Sequence, residues 1–132
     1  MLELQISAKA SAQEREQVLQ RWYRQQLRIL IPPLLVKWEA ALEVKVAECR
    51  VKKMKTKWGS CNPEARRIWL NLELSKKPLR CLEYLLVHEL AHLIERRHNS
   101  AFISMMDKHL PQWRLHRAEL NRAPLVHETW TY

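Results

Sequence analysis

Apolar residues recur at helical intervals along the first third of the chain. Ser11 and Glu14 have the spacing of a capping box, which satisfies backbone N–H groups at the start of a helix. The apolar positions that follow are Val18, Leu19, Trp22, Leu27, Leu30 and Ile31. Pro32 and Pro33 are expected to break or kink this helix, and the apolar residues after them to continue it or begin another. The pattern predicts a helical segment over about residues 11–42.

The pattern changes from helical to alternating after Val44. The segment "VKVAECRVKKMK" starts with alternating, β-branched residues and indicates one strand or two. The clearest strand is "IWLNLEL", whose apolar face carries Ile68, Leu70, Leu72 and Leu74. Between them, "WGSCNPEARR" is typical of a turn or loop. We therefore expect a small, mostly antiparallel sheet of about three strands over about residues 44–74.

Helical spacing returns in the last third of the chain. Pro78 suits the first turn of a helix, and leucines follow at intervals of three or four, which predicts a helix over about residues 78–95. Asn99 or Ser100 can cap a further helical region, which is predicted over about residues 99–121. The order helix, strands, helices indicates an α+β fold.

Composition fits one compact domain over residues 1–132, because 47% of the residues are hydrophobic and 28% charged. The net charge of +9 has two interpretations: it keeps the protein soluble, or it attracts an anionic partner such as a nucleotide, nucleic acid or a membrane surface. Three cysteines without CxxC spacing argue against a disulfide framework or a cysteine zinc site. The N-terminus has no signal-peptide layout, and no apolar run approaches the roughly 20 residues that span a bilayer. We expect a cytoplasmic protein without membrane partners.

The stretch "HELAHLIERRH", residues 88–98, carries the strongest chemical signal. His88 and His92 are one helical turn apart, so both can face one metal ion, and Glu89 lies beside them to handle a proton. Imidazole ligands favour zinc or a neighbouring transition metal over magnesium and calcium. A catalytic zinc also needs a third protein ligand and an open position for water.

His98 can be the third ligand only if the helix ends between His92 and His98. In one continuous helix, His98 would lie about 9 Å beyond His92 along the axis, at about 1.5 Å per residue. Both ligands must instead come within about 2.1 Å of the zinc. The intervening residues contain neither Gly nor Pro to mark a break. If the helix continues, the third ligand must come from His109, His116 or Glu119.

Several segments together resemble the YgjP-like metallopeptidase domain, over roughly residues 22–120. The domain is related to gluzincin-type zincins and, more distantly, to SprT-like and WLM proteases. The segments that carry the resemblance are "KTKWGSC", "IWLNLEL", "LLVHELAHLIERRHNSAF" and "LPQW". The family commonly has a tryptophan after the phenylalanine of the last histidine motif, where this chain has Ile103, which we interpret as a packing position.

The resemblance implies a zincin-like fold and a zinc-dependent hydrolase, a metallopeptidase that acts on peptides or proteins. Its one zinc ion would be held by His88, His92 and His98. Glu89 would be the general base that activates the zinc-bound water. Some YgjP-like proteins are described as UTP pyrophosphatases, so a nucleotide substrate is the alternative. A DNA-associated protease module is a further alternative by analogy with SprT-like proteases, with weak nucleic-acid binding through the basic surface.

The segment "KWGS" is a candidate substrate-binding loop because it lies within a motif of the resemblance. Its members are Lys57, Trp58, Gly59 and Ser60. Gly59 is the only glycine of the chain and lets the backbone approach another group closely. The alternative interpretation is a tight turn whose tryptophan packs in the core. Neither the charge nor the motifs decide which bond is hydrolysed.

Overall fold

The computed structural model describes residues 11–122. The chain begins with helix α1 (Ala12–Leu42), continues through strands β1 (Glu48–Lys52), β2 (Gly59–Asn62) and β3 (Arg67–Asn71) into a 3-10 helix (Leu72–Lys76), and ends in helices α2 (Leu79–His92), α3 (Ser100–His109) and α4 (Trp113–Asn121). The predicted α+β class, with one helix before the sheet and helices after it, is confirmed. That residues 1–132 form a single domain stays a prediction. No helix within the described range is long and apolar enough to cross a membrane.

Helix α1 is continuous across its two prolines. The Ser11 side chain caps its start by accepting a hydrogen bond from the Glu14 N–H at 3.1 Å. Pro32 and Pro33 are exposed, so water can reach the carbonyl groups that lack a proline N–H partner. The buried residues of the helix lie on both sides of the prolines: Leu27, Ile31, Trp38 and Leu42. Packing of this face against the core stabilises the helix across the two prolines.

The sheet is mixed, with strand order β1-β3-β2, rather than mostly antiparallel as the sequence pattern predicts. β2 and β3 form an antiparallel hairpin, whereas β1 pairs with β3 in parallel. The chain reverses direction twice between β1 and β3, and the intervening strand β2 takes the far edge of the sheet. This non-local order cannot be derived from the alternation of side chains within any one strand.

Two local expectations about the sheet need correction. The "WGSC" segment is not only a turn, because Gly59–Asn62 form β2 and the turn comes after Asn62. The strand in "IWLNLEL" ends at Asn71, whose side chain accepts a hydrogen bond from the Glu73 N–H at 3.0 Å and caps the 3-10 helix. Leu72 and Leu74 remain buried in the 3-10 helix, so the apolar pattern is right about their burial and not about their conformation.

Helix α2 is the central element of the fold. It packs against α1, α3, α4, the 3-10 helix and strands β2 and β3. Every residue from Tyr84 to Ala91 is buried, which is typical of a helix surrounded by other elements rather than lying on a surface. As a consequence, the side chains of His88 and Glu89 lie in the interior, and each residue is only 2% exposed.

Candidate active site

Helix α2 ends at His92, which meets the condition that the chain leave the helix before His98. The Leu93 and Ile94 N–H groups bond to carbonyls three residues back, each at 3.0 Å, and tighten the last turn. Asn99 then caps α3 by accepting a hydrogen bond from the Phe102 N–H at 3.0 Å. The break therefore comes from a tightened helix end and a new helix start, without Gly or Pro.

The break brings three imidazole rings together. The Nε2 atom of His92 lies 3.1 Å from Nε2 of His88 and 2.8 Å from Nε2 of His98. One ligand atom from each residue falls within 4.8 Å of the other two, so the group could hold a metal ion. Ligands on a tetrahedral zinc at about 2.0–2.1 Å would be roughly 3.4 Å apart. The two distances from His92 are slightly shorter than that separation.

Phe102 of α3 supports the three rings from one side. It is 3% exposed. Its ring centroid lies 5.1 Å from that of His88, 4.6 Å from that of His92 and 4.9 Å from that of His98. A phenylalanine in contact with all three rings restricts their orientations, so the "HNSAF" segment contributes packing as well as a histidine.

Backbone geometry determines the protonated nitrogen of His92. Its Nδ1 atom lies 3.0 Å from the carbonyl oxygen of Glu95, and a carbonyl oxygen can only accept. Nδ1 therefore carries the proton in the neutral ring, and the Nε2 lone pair points toward His88 and His98. The Glu95 side chain does not take part in this contact and instead accepts a hydrogen bond from the Arg97 N–H at 3.3 Å.

The surroundings favour neutral imidazoles. Burial, followed by the nearby His92 and His98, lowers the pKa of His88 to about 2. Burial also lowers the pKa of His92 and of His98. Neutral imidazole is the form that binds metals, because the lone pair must be free of a proton. The three rings are therefore in the metal-binding state at neutral pH.

Glu89 presents a buried carboxyl group beside the histidines. Burial raises its pKa to about 8, and the positive charge of Lys57 opposes the shift. Its Oε2 atom is buried and has no hydrogen-bond partner among the described residues. A methyl group on Gly59 would lie 3.0 Å from this oxygen and 3.0 Å from the Trp69 carbonyl oxygen. Since Gly59 does not have a positive φ, close packing against Glu89, Trp69 and Leu85 is what favours glycine there.

A cleft of about 920 Å³ opens over Glu89 and the three histidines. Of the predicted substrate-binding residues, Lys57, Gly59 and Ser60 line it. Trp58 does not, because it is 1% exposed and lies in the hydrophobic core. The lining residues that the sequence did not single out as binding residues are Cys61, Asn62, Pro63, Glu64, Arg96 and Arg97. The Arg96-Arg97 pair was detectable as a basic cluster within the histidine motif.

Comparison with known proteins identifies the family. The family model described as YgjP-like, metallopeptidase domain, matches residues 1–123. The chain belongs to this family. Among solved structures, the crystal structure of the metallopeptidase zymogen of Pyrococcus abyssi abylysin is similar in fold, with a TM-score of 0.59 and 22% identity over 64% of this chain and 86% of that one. A comparison with curated proteins found no match.

Membership of the YgjP-like family supports a metallopeptidase, and hence a hydrolase that acts on peptides. Neither the family match nor the abylysin structure supports nucleotide or nucleic-acid binding. The alternative third ligands His109, His116 and Glu119 lie outside the histidine cluster. Glu119 is instead paired with Arg80.

Asn71 is a structural residue of this YgjP-like domain that the sequence pattern did not reveal. It is fully buried. Its side-chain N–H₂ group donates to the carbonyl of Met54 at 2.9 Å and to that of Lys57 at 2.6 Å. Its backbone N–H donates to the Trp58 carbonyl at 2.8 Å. Asn71 thereby attaches the segment before β2 to the sheet and fixes the backbone of Lys57 at the cleft. The only sequence feature that indicated a role for Asn71 was its polar side chain between apolar residues of the predicted strand.

Proposed function

We propose that this domain is a zinc-dependent metallopeptidase in which His88, His92 and His98 bind one zinc ion and Glu89 is the general base. The observation that carries the proposal is the convergence of three Nε2 atoms beside a buried carboxyl group, at the base of an open cleft. Together with family membership, this arrangement favours peptide hydrolysis over a purely structural metal site, since a structural zinc has four protein ligands.

The donor set fits zinc. Three imidazole nitrogens suit zinc better than magnesium or calcium, which prefer oxygen ligands. The cleft side of the cluster leaves space for a fourth ligand, as catalytic zinc sites require. When bound, zinc would supply Lewis-acid polarisation of the substrate carbonyl and would lower the pKa of water to about 7.

In the proposed reaction, Glu89 takes a proton from the attacking water and delivers it to the leaving amine. The carboxyl group lines the cleft next to the first histidine, within reach of a substrate in the cleft. A nearby positive charge favours the carboxylate form of Glu89, which is the form that accepts a proton. Lys57 at the same cleft lowers the pKa of Glu89, whereas burial has the larger effect and raises it. Gly59 leaves room for the carboxyl group between β2 and α2.

Strand β2 offers a binding surface for an extended peptide. It is an edge strand that pairs only with β3 within the sheet, and all four of its residues, Gly59–Asn62, line the cleft. Main-chain groups along the edge of a sheet can pair with an extended substrate and give affinity without sequence specificity. The side chains of Ser60 and Lys57 are available to contact the substrate.

The test compares peptide and nucleotide hydrolysis by the zinc-loaded protein and by its Glu89→Gln variant. We expect the wild type to cleave members of a peptide library and the variant to retain zinc but lose nearly all cleavage. Hydrolysis of UTP without cleavage of any peptide would contradict the metallopeptidase proposal and favour the pyrophosphatase alternative. Tight DNA binding that persists at high salt would favour the DNA-associated alternative, because purely electrostatic binding weakens as salt rises.

A further inference from the structure

The cleft is lined mainly by positive charge. Three cationic side chains border it: Lys57 before β2, and Arg96 and Arg97 in the loop between α2 and α3. The acidic residues of the lining are Glu64 and Glu89. Glu89 is buried and is the proposed base, so Glu64 is the one acid of the lining that can balance three cations around a bound substrate.

Glu64 is paired with Arg96 by an exposed salt bridge. Their N···O distance is 3.2 Å, and their side chains are 84% and 64% exposed. The pair links the turn after β2 to the loop after α2, both of which line the cleft. Because exposed ion pairs of this kind contribute little net free energy, another carboxylate can displace Glu64 from Arg96.

The other two cations form no salt bridge within the described range, although the charge of Lys57 acts on the buried carboxyl group of Glu89. Neither Lys57 nor Arg97 takes part in any of the ion pairs formed among residues 11–122. Asn71 holds the backbone of Lys57 through the 2.6 Å hydrogen bond to its carbonyl, so the Lys57 side chain starts from a fixed point at the cleft. Arg97 immediately precedes His98 in the chain, and both residues line the cleft.

We propose that this cleft selects peptides that carry aspartate or glutamate beside the cleaved bond, with Lys57, Arg96 and Arg97 binding those carboxylates. This inference rests on the proposed function and adds the substrate class. Arginine suits the role because its planar guanidinium group can bind a carboxylate through two parallel hydrogen bonds. Arg96 would exchange Glu64 for the substrate, so Glu64 acts as an internal competitor.

The test uses peptides of one length and sequence that differ only in carrying Asp, Ala or Lys on either side of the cleaved bond. For the zinc-loaded protein, we expect kcat/KM to decrease in the order Asp, Ala, Lys, by roughly two- to fivefold for each ion pair that the substrate cannot form. Arg97→Glu is expected to lower kcat/KM for the Asp peptide and raise it for the Lys peptide. Arg21→Glu makes the same change in net charge on an exposed position of α1 and is expected to leave the ratio unchanged.

A second variant tests the internal competitor. Glu64→Gln frees Arg96, so we expect the Asp peptide to be cleaved more efficiently than by the wild type and the Lys peptide less. Raising the ionic strength is expected to reduce every one of these differences, because salt screens exposed charges. Equal kcat/KM for all three peptides at low salt, or an unchanged ratio in both Arg97→Glu and Glu64→Gln, would overturn the inference while leaving the peptidase function intact.

Binding separates this inference from the proposed function. The zinc-loaded Glu89→Gln variant is mixed with the same labelled peptides, and fluorescence anisotropy measures affinity without cleavage. Tighter binding of the Asp peptide supports the inference even if the wild type hydrolyses no peptide. Absence of hydrolysis by the wild type would refute only the proposed function. Equal binding of the three peptides, or tighter binding of a nucleoside triphosphate than of the Asp peptide, would overturn the acidic-peptide assignment.

Discussion

Replacing Gly59 with alanine would place one methyl group at the interface between β2 and α2. That carbon would lie 3.0 Å from Glu89 Oε2, 3.0 Å from the Trp69 carbonyl oxygen and 3.1 Å from Leu85 Cδ2, whereas ordinary van der Waals separation begins at 3.4 Å. The Trp69 carbonyl belongs to the sheet backbone and Leu85 is fully buried, so neither can move freely. Overpacking of this kind costs about 1–3 kcal/mol of unfolding free energy.

The same methyl group would displace the carboxyl group of Glu89. A misplacement of about 1 Å at a catalytic group can cost on the order of 100-fold in rate, so we expect kcat of Gly59→Ala to fall by roughly 10- to 100-fold. Zinc content is expected to stay at the wild-type level, since the methyl group meets none of the three histidines. The measurements are urea unfolding, elemental analysis and peptide cleavage on the same preparation.

A double-mutant cycle shows how much of the stability lost in Gly59→Ala comes from contact with Glu89. Gly59→Ala is expected to cost less stability in a Glu89→Ala background, where the carboxylate is absent but Trp69 and Leu85 still oppose the methyl group. Gly59→Ala with wild-type stability and wild-type kcat would refute the claim that this glycine is required by close packing. Equal costs in both backgrounds would assign the strain to Trp69 and Leu85.

Three further predictions concern Asn71, Glu89 and the histidine cluster. Asn71→Ala leaves two carbonyls and two N–H groups without their side-chain partner, so we expect the unfolding free energy to fall by about 2–4 kcal/mol. A decrease below about 0.5 kcal/mol in urea titration would contradict the network. In the metal-free protein, burial raises the pKa of Glu89 from 4.5 to about 8. The folded state therefore becomes progressively less stable as pH rises through that interval. At pH 9, Glu89→Gln is expected to be more stable than the wild type by roughly 3–5 kcal/mol at most, whereas near pH 4 the two proteins are expected to be equally stable. Thermal unfolding with a chelator would refute this if the two proteins melted alike at pH 9. His98→Ala is expected to lose most of the thermal stabilisation that zinc gives the wild type, which is about 4 kcal/mol at a thousandfold excess over Kd; full stabilisation of this variant would exclude His98 as a ligand.

Local features of the fold were accessible from the sequence because they depend on neighbouring residues. The Ser11 cap, the shared face of His88 and His92, and the need for a helix end before His98 all follow from helical geometry. The position of that end did not follow, because it depends on backbone bonds around Leu93 and on the start of α3 at Asn99 rather than on Gly or Pro.

Features that depend on residues far apart in the chain were not accessible. The parallel pairing of β1 with β3 and the edge position of β2 depend on how the sheet packs against α2, which no single segment encodes. For the same reason, the pattern did not reveal Asn71 as the residue that connects two motifs, nor Gly59 as the neighbour of Glu89. Trp58 lies within a motif of the site and yet packs in the core, just before β2 begins.

Every step of the proposed chemistry depends on a zinc ion held by His88, His92 and His98. Zinc K-edge X-ray absorption of the zinc-loaded protein tests this directly, since it distinguishes nitrogen ligands at about 2.0–2.1 Å from sulfur at about 2.3 Å. We predict three imidazole nitrogens and one further light-atom ligand, with one imidazole contribution missing in His98→Ala. A sulfur ligand from a cysteine such as Cys61, which lines the same cleft, or an unchanged spectrum in that variant, would contradict the account.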